Sequence, residues 1–258
     1  MNTRKNSHPN RLLRKSALTL LALVLVLMAV STPGYALPSA TEADFTAVDD
    51  YLESQRQALG IPGMAVSIVQ GAQVAYLGSY GAADSDGRPV TPQTPFQIGS
   101  TTKSFTALAV MQLVEAGLVE LDAPVQTYLP WFRVADEAAS AKITIRHLLN
   151  QTSGLSTATG RDDFAASDLS DQAIENSVRA LAETELFAAP GSTFQYSNSN
   201  FTIAGLVVQV VSGQSYESYM QAHIFDPLEM LHTFTAQEPA EQDGLASGYV
   251  TFLGIPVR

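Results

Sequence analysis

The runs GMAVSIVQ (63–70) and AQVAYLGSY (72–80) alternate apolar with small or polar residues around a turn at Gln70 and Gly71. Period-two alternation places Met64, Val66 and Ile68 on one face of a β-hairpin. A hairpin alone is marginally stable in water, so the fold has to set further strands or a helix against that face. The preceding stretch, TEADFTAVDDYLESQRQALGIP (41–62), offers a helix. Thr41 is a candidate N-cap, Phe45, Val48, Leu52 and Leu59 recur at helical spacing, and Gly60 before Pro62 ends the pattern.

After a Gly/Pro-rich loop the period becomes helical. One helix is expected over residues 100–116, closed by Gly117, and another in ITIRHLLNQTSGL (143–155), with Thr144 as cap and Gly154 as stop. SDQAIENSVRALAETEL (170–186), NSNFTIAGLVVQVVSG (198–213) and SYESYMQAHIF (215–225) are three more. TATGRDDFAASDLSD (157–171) reads as a flexible insert between two helices. GYVTFLGIPVR (248–258) then offers one strand at most. The expected fold is α/β of the α+β kind: an antiparallel sheet domain begun by an N-terminal helix and hairpin, a helical lobe beside it, and a cleft between them.

At 258 residues and 46% hydrophobic, the chain suits one medium domain with a real core. Its first residues carry Arg4, Lys5, Arg11, Arg14 and Lys15 without an acid, and an apolar run from Ala17 to Val30 follows. Gly34 and Ala36 then supply small residues for cleavage. Residues 1–36 read as a secretory signal and residues 37–258 as the exported domain, whether secreted, periplasmic or cell-surface. An uncleaved anchor is the alternative, although the run is shorter than the ~20 residues a spanning helix needs. Membrane contact is expected only through that segment if it stays uncleaved. A net charge of -11 argues against nucleic acid as a partner. Without cysteine there is no disulfide framework, thiolate nucleophile or zinc-thiolate site. His147, His223 and His232 form no H-E-x-x-H, so neither a metal nor another cofactor is implied. The expected partner is a small-molecule or peptide substrate, with oligomeric state left open.

Chemistry concentrates in 98-IGSTTKSF-105, where Ser100 and Lys103 stand three residues apart at the start of a helix. Residues at i and i+3 share a helical face, so the Lys103 nitrogen can reach the Ser100 hydroxyl. The helix N-terminus favours an alkoxide there. Burial beside Phe105 and Leu108 would push a lysine toward the neutral form a base requires. The plainer reading is a polar helix start with an exposed lysine. By chance, 23 serines and 4 lysines in 258 residues give about 0.4 Ser-x-x-Lys matches. The second candidate is 196-YSNSN-200, with Tyr196 and Asn198 on a loop entering a helix. Helix capping by Asn198 or Asn200 is its plain reading. A tyrosine beside a lysine can instead relay a proton, and an asparagine amide can grip a substrate carbonyl.

Four stretches, IGSTTKSFTALAVMQLVEAGLVELDAPVQTYLP, ITIRHLLNQTSGL, PGSTFQYSNSNFTIAGLVVQVVSG and SYESYMQAHIFDPLEM, follow one another in an order and spacing that resemble the β-lactamase-like serine hydrolases. That family groups class C β-lactamases, penicillin-binding DD-peptidases and related esterases, and Tyr-x-Asn is similar to the second motif of the class C and DD-peptidase branch. The resemblance implies Ser100 as acyl-accepting nucleophile, Lys103 as its base, Tyr196 as proton relay and base for deacylation, and Asn198 as the group that holds the substrate amide and orients Lys103. It implies an exported hydrolase of amide, β-lactam or ester bonds without a cofactor. His147 and Ser153 fall in a stretch that resembles the family's structural signature and read as packing and helix-end residues. No G-x-S-x-G occurs, which argues against an α/β-hydrolase.

The family's third motif, Lys-Thr-Gly or His-x-Gly, has no match, since the last lysine is Lys142 and His232 is followed by Thr233 and Phe234. The expectation is a chain truncated at its C-terminus relative to the family, with later sheet strands missing and the face around Met64, Val66 and Ile68 uncovered. A catalytically inactive or fragmentary member that at most binds ligands is the alternative function.

Overall fold

A computed structural model describes residues 44–159, 170, 172–252 and 255–257. The proposed signal, the Thr41 cap and most of the 157–171 insert lie outside them. Of two compact units, Met1–Ala47 and Val48–Arg258, the first is described only at residues 44–47. The second carries the hairpin, the helical lobe and the core.

Helix α1 (Thr46–Ala58) ends as predicted, with Gly60 in the left-handed region (φ 63°). It leads into β1 (Gly63–Gln70) and β2 (Gln73–Gly81), paired antiparallel. The turn falls at Gly71 and Ala72, one residue later than predicted. Only the first of these has a positive φ (63°), the type II′ pattern that suits the twist of a hairpin. Met64, Val66 and Ile68 are half-buried and their neighbours Ala65, Ser67 and Val69 exposed, as the alternation requires. Opposite them stand Tyr80, Gly78 and Tyr76. Both tyrosine hydroxyls donate to the carboxylate of Asp49 on α1, Tyr80 at 2.6 Å, which ties helix and hairpin together. The other face carries Val69, Val74 and Leu77, each more than half exposed.

The helical lobe holds the core. Its helices are α2 (Thr102–Glu115), entered by a 3-10 turn at Gly99–Thr101, then α3 (Glu137–Ser140), α4 (Ile145–Leu149), α5 (Ala173–Arg179), α6 (Asn198–Ser212), α7 (Tyr216–Met220), which runs into a π turn at Gln221–Phe225, and α8 (Gln237–Gln242). α6 is apolar nearly all round, the mark of a buried helix, and packs against α2, α4, α5 and α7. Ile203, Leu206 and Val207 of α6 meet Val110 and Leu113 of α2 and Ile145 and Leu148 of α4 in one cluster closed by Phe132, Leu129 and Met220. α2 stops in a Schellman cap: Gly117 takes φ 71°, its N–H reaches Val114 O (2.9 Å), and Leu118 N reaches Leu113 O (2.9 Å).

Two expectations need correction. The α4 helix begins at Thr144 as predicted, in a capping box with His147, but ends at Leu149 and not near Gly154. The chain turns instead at Gln151, where φ is +60°. The C-terminal stretch also forms two short strands, β3 (Val250–Phe252) and β4 (Ile255–Val257), paired antiparallel in a second sheet. At three residues each, these strands are too short for alternation to separate them in the sequence pattern. The segment before β3 returns to the loop after the hairpin, where Ser247 N donates to Ala83 O (2.8 Å) and Ala246 N to Pro95 O (2.9 Å).

Two outcomes check this picture. On α2, Leu113 is 3% exposed and Leu108 43%. Leu113→Ala should cost about 2–5 kcal/mol and Leu108→Ala less than about 0.5 kcal/mol, as read by urea unfolding; equal costs would misplace the core face. The hydrogen bonds from Tyr76, then Tyr80, hold the Asp49 carboxyl below its ordinary range. A carboxyl with a depressed folded pKa contributes stability above its unfolded value, about pH 4, and loses it as pH falls through the folded value. Melting temperatures measured against pH should therefore fall more steeply below about pH 4 for the parent than for Asp49→Asn.

Candidate active site

Ser100 lies in the 3-10 turn, with Lys103 in the first turn of α2. The α-helix proper starts at Thr102, so the three-residue spacing runs from the 3-10 turn into the helix. The Lys103 Nζ donates to Ser100 Oγ at 3.2 Å. Across from them, residues 195–198 enter α6 and bring in the second pair. The Tyr196 hydroxyl is 2.6 Å from Ser100 Oγ, and Lys103 Nζ donates to Asn198 Oδ1 at 2.8 Å. Lys103 Nζ also stands 4.9 Å from the centre of the Tyr196 ring. All four residues singled out in the sequence meet in one cluster.

The plain capping reading of 196-YSNSN-200 does not hold. Ser197 is the N-cap of α6 and makes no side-chain cap bond. Asn198 turns toward Lys103, and Asn200 is buried, donating to Gln151 Oε1 (2.6 Å) and accepting from Ser153 Oγ (2.6 Å). Ser153 is thus a buried hydrogen-bonding residue beyond the end of α4. His147 serves the fold: its Nδ1 accepts from Thr144 N and its own N–H donates to Thr144 Oγ1.

The Tyr196 phenol titrates below its ordinary range, chiefly because of Lys103 beside it and secondly through the hydrogen bond with Ser100, against a smaller opposing effect of desolvation. A hydroxyl flanked by a phenol and an amine has two outlets for its proton, as an activated nucleophile requires. The turn bearing Ser100 separates two hollows. One, of about 410 Å³, is bounded by Lys103, Thr106, Asn198, Phe201 and Tyr216. The other, of about 790 Å³, is bounded by Phe96, Ile98, Thr101, Phe105 and Phe234. Among the described residues no group of three or more His, Asp and Glu could hold a metal ion.

The Beta-lactamase family profile matches residues 48–253. The chain belongs to that family. Protein flp of Staphylococcus aureus (strain MW2) is 34% identical over 203 residues, 78% of this chain and 40% of that protein. The octameric penicillin-binding protein homologue from Pyrococcus abyssi superposes with a TM-score of 0.70 at 30% identity, over 83% of this chain and 50% of that one. EstCE1, a hydrolase with promiscuous acyltransferase activity, gives 0.69 at 28% identity, over 81% and 57%. The chain thus spans about half the length of these family members. The two solved structures share its α/β fold.

If Lys103 is what holds the phenol down, Lys103→Met should move the Tyr196 titration upward toward about 10, the ordinary tyrosine value. Tyrosine labelled with ¹³C at Cζ, with Tyr196 assigned through Tyr196→Phe, would report it by NMR. An unmoved titration would remove Lys103 as the cause.

Proposed function

We propose that the chain is the catalytic part of an exported serine hydrolase that opens an amide, β-lactam or ester bond through an acyl-enzyme on Ser100. The observation that supports this most is the convergence on one hydroxyl: Ser100 Oγ lies 2.6 Å from the Tyr196 phenol and 3.2 Å from Lys103 Nζ. In this reading Lys103 accepts the Ser100 proton as Oγ attacks the carbonyl carbon. Tyr196 delivers a proton to the departing nitrogen or oxygen, which leaves the acyl group esterified to Ser100. A water, deprotonated by Tyr196, then attacks the ester, and the departing Ser100 oxygen takes its proton back from Lys103. Asn198 holds Lys103 in place at 2.8 Å and presents its amide to the substrate. The positive end of α2 favours the developing oxyanion.

Substrate class follows from the relatives only in outline, since they include a penicillin-binding protein homologue and an acyl-transferring hydrolase. Export rests on residues 1–36, and mature protein is expected to begin at about Leu37.

Exposure to a fluorophosphonate, a penicillin and a p-nitrophenyl ester, followed by intact-mass analysis, tests the reaction. A single covalent adduct on Ser100 is expected, lost in Ser100→Ala together with several orders of magnitude of turnover. Lys103→Ala should be nearly as damaging, because the pair acts as a unit. Full labelling of Ser100→Ala would sink the assignment. Reversible ligand binding without any adduct would favour the alternative, a member that binds but does not turn over.

A further inference from the structure

Gln151 occupies a backbone position that calls for another residue. It follows the C-cap Asn150 of α4 with φ +60°, its N–H reaches Leu148 O (3.1 Å), and Thr152 N reaches His147 O (2.8 Å). This is the Schellman arrangement that closes α2, where the same position is Gly117. Glycine is usual there because a Cβ is disfavoured in the left-handed region. A glutamine that is 6% exposed at such a place is a constraint in search of a cause.

Its contacts supply one. Gln151 Oε1 accepts from Ser197 N (2.9 Å) and from Asn200 Nδ2 (2.6 Å), while its main-chain oxygen accepts from Gln195 N (2.8 Å). The residues immediately before and after Tyr196 are therefore both fastened to Gln151. Ser153 Oγ secures Asn200 from its other side, and Thr157 Oγ1 donates to Tyr196 O (2.7 Å). With the peptides on both sides fixed, only the side-chain torsions of Tyr196 remain to place its hydroxyl.

We propose that Gln151 is a positioning residue that sets Tyr196 against Ser100, its side chain holding the loop on one side of Tyr196 and its backbone on the other. The inference rests on the reading of Tyr196 as proton relay, but it can be tested without turnover. The phenol faces Ser100 and Lys103, so a displaced Tyr196 loses the two neighbours that lower its titration.

Three variants separate positioning from simple structure. Gln151→Gly suits the left-handed backbone, keeps the main-chain acceptor and removes the side chain. Gln151→Met keeps length without an acceptor, and Gln151→Glu keeps an acceptor for both Ser197 N and Asn200. In the Gly and Met variants the Tyr196 ¹³Cζ titration should move up, and fluorophosphonate labelling of Ser100 should slow by about 10- to 100-fold, the scale of a small misplacement. Gln151→Glu should bring both back toward the parent. Should the Met variant not fold, the Gly variant decides, because its backbone is the more compatible of the two. Parental titration and labelling in a folded Gly variant would overturn the proposal, as would a Glu variant impaired like Met. If the parent is not labelled at all, the hydrolase reading fails while the titration still decides the role of Gln151.

Discussion

The contact between α2 and α6 governs the site. Each helix buries an apolar face on the other, and each carries its functional groups at its N-terminal end: Ser100 and Lys103 before and within the first turn of α2, Asn198 at the first residue of α6. Burying one Val, Leu or Ile side chain is worth about 1.5–3 kcal/mol, against about 0.5–1.5 kcal/mol net for one hydrogen bond. Several such side chains sit between the helices, so the apolar contact sets the spacing of the helix ends and the polar bonds adjust within it. Interiors packed to crystal-like density transmit that spacing with little slack. That is why Lys103 can satisfy two oxygens, one before α2 and one on α6, at 3.2 and 2.8 Å.

The hairpin is held differently. α1 has no fully buried residue, and its tie to β2 runs through Asp49 and two tyrosine hydroxyls at the protein surface. Gly78 makes room for those hydroxyls, since a Cβ there would meet the Tyr76 and Tyr80 oxygens at 2.5 and 2.8 Å. Exposed polar ties contribute little each and respond to solvent. Local opening is therefore expected to begin at the hairpin while the lobe stays closed. The site residues all come from the lobe and its loops, so their arrangement does not depend on the less firmly held part.

Legibility in the sequence divides along the same line. Long apolar runs revealed α2 and α6, Gly117 marked a true C-cap, and Thr144 a true N-cap, because each of these signals is local. The i, i+3 spacing of Ser100 and Lys103 survives the change from a 3-10 to an α turn, since both bring such residues to one side. Gln151 was illegible for the opposite reason. Nothing in a glutamine signals a left-handed backbone, and the glycine three residues on drew the expected helix end to itself. Its partners Ser197 and Asn200 lie 46 and 49 residues away, so their contact exists only after α4 and α6 have packed. Asn200 misled in the same way: asparagine at a helix start usually caps, and here tertiary burial claims its amide first.

The buried amide cluster also explains how a short loop can hold a reactive phenol. Tyr196 itself is 36% exposed, and an exposed tyrosine on a loop ordinarily samples several rotamers. The residues on either side of it, Gln195 and Ser197, are bonded to a backbone carbonyl and a side chain that are themselves fixed by the end of α4. A buried amide with its partners satisfied is stiff, because leaving any one of them unpaired would cost a full desolvation penalty. Precision at the surface is thus inherited from polar groups beneath it. The left-handed strain at Gln151 is tolerated because the same residue that bears it closes the network, so relaxing the backbone would mean giving up three hydrogen bonds to Gln195, Ser197 and Asn200.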